Sequence, residues 1–192
     1  DTMFVVAHFH MVMGVAPLLV VFGAIYHWYP LITGKMLNEA MGQFHFWVTF
    51  LGAYMIFLPI HYLGFLGVPR RYYEMGDTTF IPDSAATLNA FVTVVALIVG
   101  FAQLVFLFNM VWSAYRGKKS DRNPWKACSL EWQTEEYPPA HGNFGKTLPS
   151  VYRWPYDYGV PGADDDFIPQ NQPPERPVTD SGPEAASTQA AE

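Results

Sequence analysis

Charged residues punctuate this chain instead of being scattered through it. None falls between Asp1 and Lys35, between Glu39 and Arg70, or between Asp83 and Arg116. That leaves uncharged runs of 33, 30 and 32 residues (2–34, 40–69 and 84–115). A soluble domain spends about a quarter of its residues on charges spread along its length, so an ordinary soluble fold is excluded. Each run exceeds the ~20 helical residues that cross a ~30 Å hydrocarbon core at ~1.5 Å per residue. Lipid offers no partner to backbone N–H and C=O groups, which makes the spans helical. The first is predicted from Thr2 to Tyr29, ended by Pro30. The second runs from Glu39 to Leu66, with a kink at Pro59 and a stop at Gly67 and Pro69. The third runs from an N-cap at Asp83 or Ser84 to Tyr115. The loop Leu31–Asn38 is short, so the first two spans are antiparallel. The connector Val68–Pro82 holds Arg70, Arg71, Glu74 and Asp77. The predicted fold class is an all-α membrane protein: three transmembrane helices within 1–115, then a largely irregular polar tail, 116–192.

Charge then orients the spans. Arg116, Lys118, Lys119, Arg122 and Lys126 crowd one segment against Asp121 alone, which puts that end on the cytoplasmic or matrix side. Lys35 shares that side; Asp1 and the Arg70–Arg71 connector lie on the outer one. The net charge of −6 comes largely from the tail and gives no reason to expect nucleic-acid binding. A single cysteine, Cys128, excludes a disulfide framework, and no zinc spacing is present. After Asp164 the composition becomes low-complexity, and this end is expected to be disordered, with the last part, from about Pro173, mobile. An uncharged run begins at the second residue with no targeting segment before it, which reads as the C-terminal piece of a longer membrane protein.

Two features ask for chemistry. Arg70 and Arg71 stand on the outer side, against the usual bias. They are either a topological exception or the partners of fixed anionic groups, for which arginine is suited. His8 and His10 lie in an apolar span, where ionisable residues are costly. At ~100° per residue on a helix they point ~200° apart, so they cannot share one metal. Each can hold a separate centre, about 10–14 Å along the axis from Asp1, and imidazole is a good axial ligand for haem iron. The alternative is two satisfied interhelical histidines. His27 beside Trp28 fits a membrane interface. His45 and His61 read as packing or hydrogen-bonding residues, and His141 has no ligand-like companion. The aromatic load, 17%, and the tail tyrosines Tyr152, Tyr156 and Tyr158 read as packing and belt residues. Asp164–Asp166 reads as a solvated acidic turn.

The run Asp1-Thr2-Met3-Phe4-Val5-Val6-Ala7-His8-Phe9-His10 closely resembles the Asp-Thr-Tyr-x-Val-Val-Ala-His-Phe-His motif of haem–copper oxidases, in subunit I of cytochrome c oxidase. His27-Trp28-Tyr29-Pro30 with Thr33-Gly34 is similar to the end of the same helix. Phe57 to Gly64 and Val68-Pro69-Arg70-Arg71-Tyr72 resemble the following helix and its Pro-Arg-Arg-Tyr turn. Asn123-Pro124-Trp125, Leu130-Glu131-Trp132 and Pro138-Pro139 with His141 resemble bacterial members. Met3 stands where the family usually has Tyr. The likeness covers roughly residues 1–144.

The resemblance implies the last three helices of a twelve-helix subunit. It implies His8 as axial ligand of the high-spin haem at the oxygen site and His10 as one axial ligand of the low-spin haem. Asp1 would help hold magnesium or manganese, and Arg70 and Arg71 would pair with haem propionates. Two haems, of haem A type, are implied, with an active-site copper bound by residues absent from this chain. The implied activity is that of a terminal oxidase, reducing oxygen to water with electrons from cytochrome c and translocating protons. Its implied partners are the remainder of subunit I, subunits II and III, cytochrome c and the lipid bilayer. A bacterial plasma membrane is expected ahead of a mitochondrial inner membrane. Alternatives are a quinol-fed oxidase, a non-enzymatic haem-binding electron-transfer subunit, and a structural three-helix anchor.

Overall fold

A computed structural model describes residues 1–71, 81, 83–134, 136, 143–159 and 161–173. Tyr72, Glu74, Asp77, Pro138, Pro139, His141 and the chain after Pro173 lie outside them. The first span is α1 (Met3–Phe9), a π-helical turn (His10–Val15) and α2 (Ala16–Thr33). The second is α3 (Glu39–Phe65) and the third α4 (Asp83–Arg116). Three helices of 31, 27 and 33 residues are long and apolar enough to cross a membrane, about 40–50 Å each at 1.5 Å per residue.

Two boundaries differ from the sequence reading. Pro30 does not end the first span, and the helix continues to Thr33. Proline removes only one hydrogen bond of the last turn; the stop comes at Gly34, whose φ of 69° is left-handed, and its N–H donates to Pro30 O at 2.8 Å. Pro59 likewise lies inside α3. The expected single helix after Thr2 is instead interrupted by the π turn at His10. α4 begins at Asp83, and its capping side chain lies outside the described residues.

Packing between the helices relies on small side chains, as suits helices that gain little from leaving an apolar solvent. Gly52 of α3 sits where a Cβ would strike the Val99 side chain of α4, and Ala53 and Ala102 are buried on the same seam. Beside α1, Ala7 packs with Ile60 and Val92, and Leu63, Val68, Ile81 and Ala85 form a second cluster. With its C-terminal end, α4 clasps the α2–α3 loop. Asn38 N–H donates to Asn109 Oδ1 (3.0 Å) and to Ser113 Oγ (3.2 Å), and Asn109 Nδ2 donates to Asn38 O (3.1 Å). Lys35 Nζ donates to the terminal carbonyls of Ala114 and Tyr115 at 2.8 and 3.0 Å, a favourable place for a cation at a helix C-terminus. Met36 N–H and Lys118 O, and Ser120 N–H and Gly34 O, complete the clasp.

The chain parts into two compact units, Asp1–Arg122 and Asn123–Glu192. Among its described residues the second has one 3-10 turn, Leu130–Trp132, yet it is stitched together. Gln170 N–H donates to Cys128 O, its O accepts from Tyr152 N–H, and its side chain bonds Leu130 N–H and Arg153 O. Cys128, Trp132, Thr134 and Ile168 are buried there. Order therefore extends beyond Asp164, because one glutamine supplies backbone partners that a low-complexity composition does not advertise.

Candidate functional site

The N-terminal end of α1 is strapped to the turn after α3. Met3 N–H donates to Val68 O (2.9 Å) and Arg70 N–H to Asp1 O (3.1 Å), with Thr2 and Pro69 paired between them. Arg70 Nη2 meets Asp1 Oδ1 at 2.7 Å. Gly64 lies against the Phe4 backbone, where any side chain would collide. Its missing Cβ lets α1 rest directly on α3. Arg71 is exposed, with a left-handed φ of 64°.

That strap sets the two histidines on either side of a buried seam. Ala7 is wholly buried, whereas His8 and His10 are both exposed. His8 is flanked by Phe4, whose ring is nearly parallel at 6.2 Å, and by His61, edge-on at 6.4 Å. His10 stacks on Phe57 at 5.6 Å and meets Phe9 edge-on at 5.3 Å. Its Nδ1 lies 2.7 Å from Val6 O. A carbonyl only accepts, so Nδ1 carries the proton and Nε2 keeps its lone pair. A metal-binding histidine commonly has its other nitrogen so engaged, and the donor set fits a haem axial ligand. His61 has the same tautomer, with Nδ1 donating to Phe57 O at 2.7 Å. No three His, Cys, Asp or Glu side chains converge as a metal cluster among the described residues.

Asp1 and Arg70, given separate partners by the resemblance, are thus brought together. The pair gives Arg70 a carboxylate within this chain. Arg71 stands apart from Asp1 in the hydrogen-bond pattern and turns outward.

His45 is a hydrogen-bonding residue, as expected, in a network that the sequence reading did not assemble. It is 1% exposed, among α2, α3 and α4. Gln103 Nε2 is 3.1 Å from Val99 O, which accepts, and 2.9 Å from Thr49 Oγ1. That fixes the amide with Oε1 toward His45 Nε2, 3.1 Å away, so Nε2 must carry the proton. Nδ1 then accepts from the Tyr26 hydroxyl at 3.1 Å. Phe106 stacks on the ring at 4.7 Å and Phe22 meets its edge at 4.7 Å. The available signal was Gln103, Asn109 and Ser113 in a charge-free run: amides and hydroxyls in an apolar span need partners.

Comparison with known proteins bears on the same residues. The family model described as Cytochrome C and Quinol oxidase polypeptide I matches residues 1–98. The alternative cytochrome c oxidase subunit 1 of Bradyrhizobium diazoefficiens is 74% identical over 174 residues, covering 91% of this chain and 29% of that protein. Cytochrome c oxidase subunit 1 of Synechocystis sp. is 41% identical over 160 residues, covering 83% of this chain and 28% of that protein. That of Alkalihalophilus pseudofirmus is 36% identical over 149 residues, covering 77% and 23%. The chain thus spans less than a third of the length of these relatives. Three apolar spans, the His-x-His turn and these matches lead to one conclusion: the chain belongs to the family of haem–copper oxidase subunit I, the cytochrome c and quinol oxidase polypeptide I.

Proposed function

We propose that this chain is the C-terminal part of the catalytic subunit of a bacterial terminal oxidase, in which His8 and His10 bind two different haems. The observation that carries this is the pair of exposed imidazoles on opposite sides of the buried Ala7, with His10 Nδ1 held by Val6 O. His8 serves the high-spin haem at the oxygen site and His10 the low-spin haem. The haems and the copper held elsewhere in the subunit supply the electron transfer and oxygen reduction to water, coupled to proton translocation. This chain's own residues hold and orient. Val6 O fixes the His10 tautomer, Phe57 sets its ring plane, and Phe4 with His61 confines the His8 ring. Arg70 meets Oδ1 of Asp1, and the other carboxylate oxygen, without a partner among the described residues, would serve magnesium or manganese. Arg71, with what Asp1 leaves of the Arg70 charge, answers haem propionates. Relatives named for cytochrome c favour that donor over quinol, and subunits II and III and the rest of subunit I are the partners. The basic segment Arg116–Arg122 puts the tail on the cytoplasmic side of the bacterial plasma membrane.

The test is a pair of substitutions in the complete oxidase. His10→Ala should abolish the six-coordinate low-spin spectrum, because that iron needs both axial nitrogens. His8→Ala should remove the high-spin signal and leave the low-spin one. Loss of the same signal in both variants would overturn the assignment.

A further inference from the structure

The first span makes two sets of contacts that an uninterrupted α-helix cannot make together. Upstream, Met3 and Ala7 pack on Ile60 and its neighbours. Downstream, Phe22 meets Phe106 at 4.9 Å, Tyr26 bonds His45, and the Tyr29 hydroxyl donates to Met110 O at 2.6 Å. At about 100° per residue, Tyr26 would point about 100° away from Ala7 on a regular helix. The three downstream residues would be centred about 90° from Met3 and Ala7. The π turn His10–Val15 closes through Ala16 N–H to Met11 O, five residues apart, and so absorbs one residue without a full step of rotation. Discounting that residue brings Tyr26 to within a few degrees of Ala7 and centres the downstream set within about 15° of the upstream one.

We infer that the π turn His10–Val15 is a phase adaptor that positions the His8–His10 turn: it lets the downstream half satisfy the buried His45 network while the upstream half keeps Ala7 in the α3 seam. Were the same residues carried in a regular α-helix, with α2 held by its own contacts, each upstream residue would take the face of the one before it. His8 would enter the slot of Ala7, while Phe9 and Met11 would occupy the faces of His8 and His10. The π turn therefore begins at the second histidine for a geometric reason: it re-phases the helix after the ligand turn and before the first downstream contact. The adaptor stands on packing alone; only its haem readout rests on the ligand reading above.

Two cysteine pairs report the two contact sets in the complete oxidase: Ala7→Cys with Ile60→Cys, and Phe22→Cys with Phe106→Cys. Both pairs should cross-link in the chain of natural length. Deleting Val12 removes the residue that the π turn absorbs and leaves a regular helix in the same phase, so both links should persist. Deleting Val12 and Met13 together should leave at most one of them. Adding one alanine between Val15 and Ala16 to the double deletion should restore both, whereas adding it between Met3 and Phe4 should not, although length and composition are the same. Loss of a link in the Val12 deletion, both links persisting in the double deletion, or the two insertions behaving alike, would overturn the adaptor. If the double deletion does not accumulate, the two insertions still decide, since only the downstream one should assemble; its failure to assemble also overturns the proposal. Low-spin haem per complex should follow the Ala7–Ile60 link. Links that obey the phase while haem content stays constant would leave the adaptor standing and remove His10 as ligand.

Discussion

Replacing Tyr26 by Phe should destabilise the helical unit by about 1–2 kcal/mol, and the value can be worked from the donor order around His45. The ring is 1% exposed, so no water can take the place of the lost hydroxyl. Nδ1 would keep its lone pair with no donor, and a buried acceptor stripped of its partner costs ~1–3 kcal/mol. Measured hydrogen bonds between membrane helices average nearer ~0.6 kcal/mol with a maximum near ~1.7, which sets the lower half of the range. Gln103→Met strands the Nε2–H of His45 at the other end and should cost ~2–3 kcal/mol. Removing the whole chain of donors is a different matter. In Tyr26→Phe/His45→Phe/Gln103→Met no lone pair or N–H is left behind except Thr49 Oγ1, whose hydroxyl can turn to a carbonyl of the preceding turn. Replacing both partners by apolar groups is nearly neutral, so the triple variant should lose no more than about 2 kcal/mol. Unfolding of the complete oxidase in bicelles, followed by steric trapping at the α3–α4 seam, measures all of these on one scale. Additive losses, with the triple variant at or above the sum of Tyr26→Phe and Gln103→Met, would refute the tautomer assignment, because unrelated contacts add and members of one network do not.

Gly64→Ala should lower the thermal midpoint of the assembled oxidase through a loss of ~1–3 kcal/mol, since its Cβ would meet the Phe4 backbone. Gly14→Ala should be neutral or stabilising in the same measurement, its Cβ meeting His10 at 3.9 Å. Asn109→Leu removes two hydrogen bonds to the Asn38 backbone, whose O keeps Gly42 N–H and whose N–H keeps Ser113 Oγ, and at ~0.5–1.5 kcal/mol per bond a loss of ~1–3 kcal/mol should appear as faster proteolysis within 34–38. Arg70→Met and Arg71→Met should each lower a haem reduction potential, because loss of positive charge favours the oxidised iron. Arg→Lys keeps the charge but not the planar fork and should be milder. A redox titration in which neither Met variant shifts a potential, with haems fully incorporated, would remove the propionate role.

The sequence was legible where charge or its absence carried the information. Runs without Asp, Glu, Lys or Arg mark the three spans to within a few residues, and Gly34 and Asn38 sit where a helix stop and a helix start are needed. The π turn was invisible for a physical reason. A span that is apolar on every side has no polar face from which to count phase, so an extra residue between His10 and Ala16 leaves no mark in the pattern. Phase returns only through Tyr26 and Tyr29, whose hydroxyls must find His45 and Met110 O, and those partners lie far away in sequence. The His-x-His spacing predicts two imidazoles on separate faces from two helical steps alone, and both side chains are exposed beside the buried Ala7. Their immediate surroundings, Phe57 stacked on His10 and His61 beside His8, come from α3 and follow from tertiary packing alone. Gln170 was missed because a single side chain gathers backbone groups from three separate stretches of the second unit.

The clasp of α4 on the α2–α3 loop also sets an order of events during synthesis. Asn38 N–H and O wait for Asn109 and Ser113, which follow by 71 and 75 residues, and Lys35 waits for carbonyls 79 and 80 residues on. At ~5–20 residues per second, the ribosome needs roughly 4–16 s to deliver them. During that interval the turn between the first two helices has only its local bonds, such as Gly34 N–H to Pro30 O and Met41 N–H to Asn38 Oδ1, and its remaining amides are left to water. Arrival of the last span closes the turn from outside. The final helix therefore acts as a latch on the first pair, and translation stalled before residue 109 leaves a hairpin that is inserted but still open to re-registration.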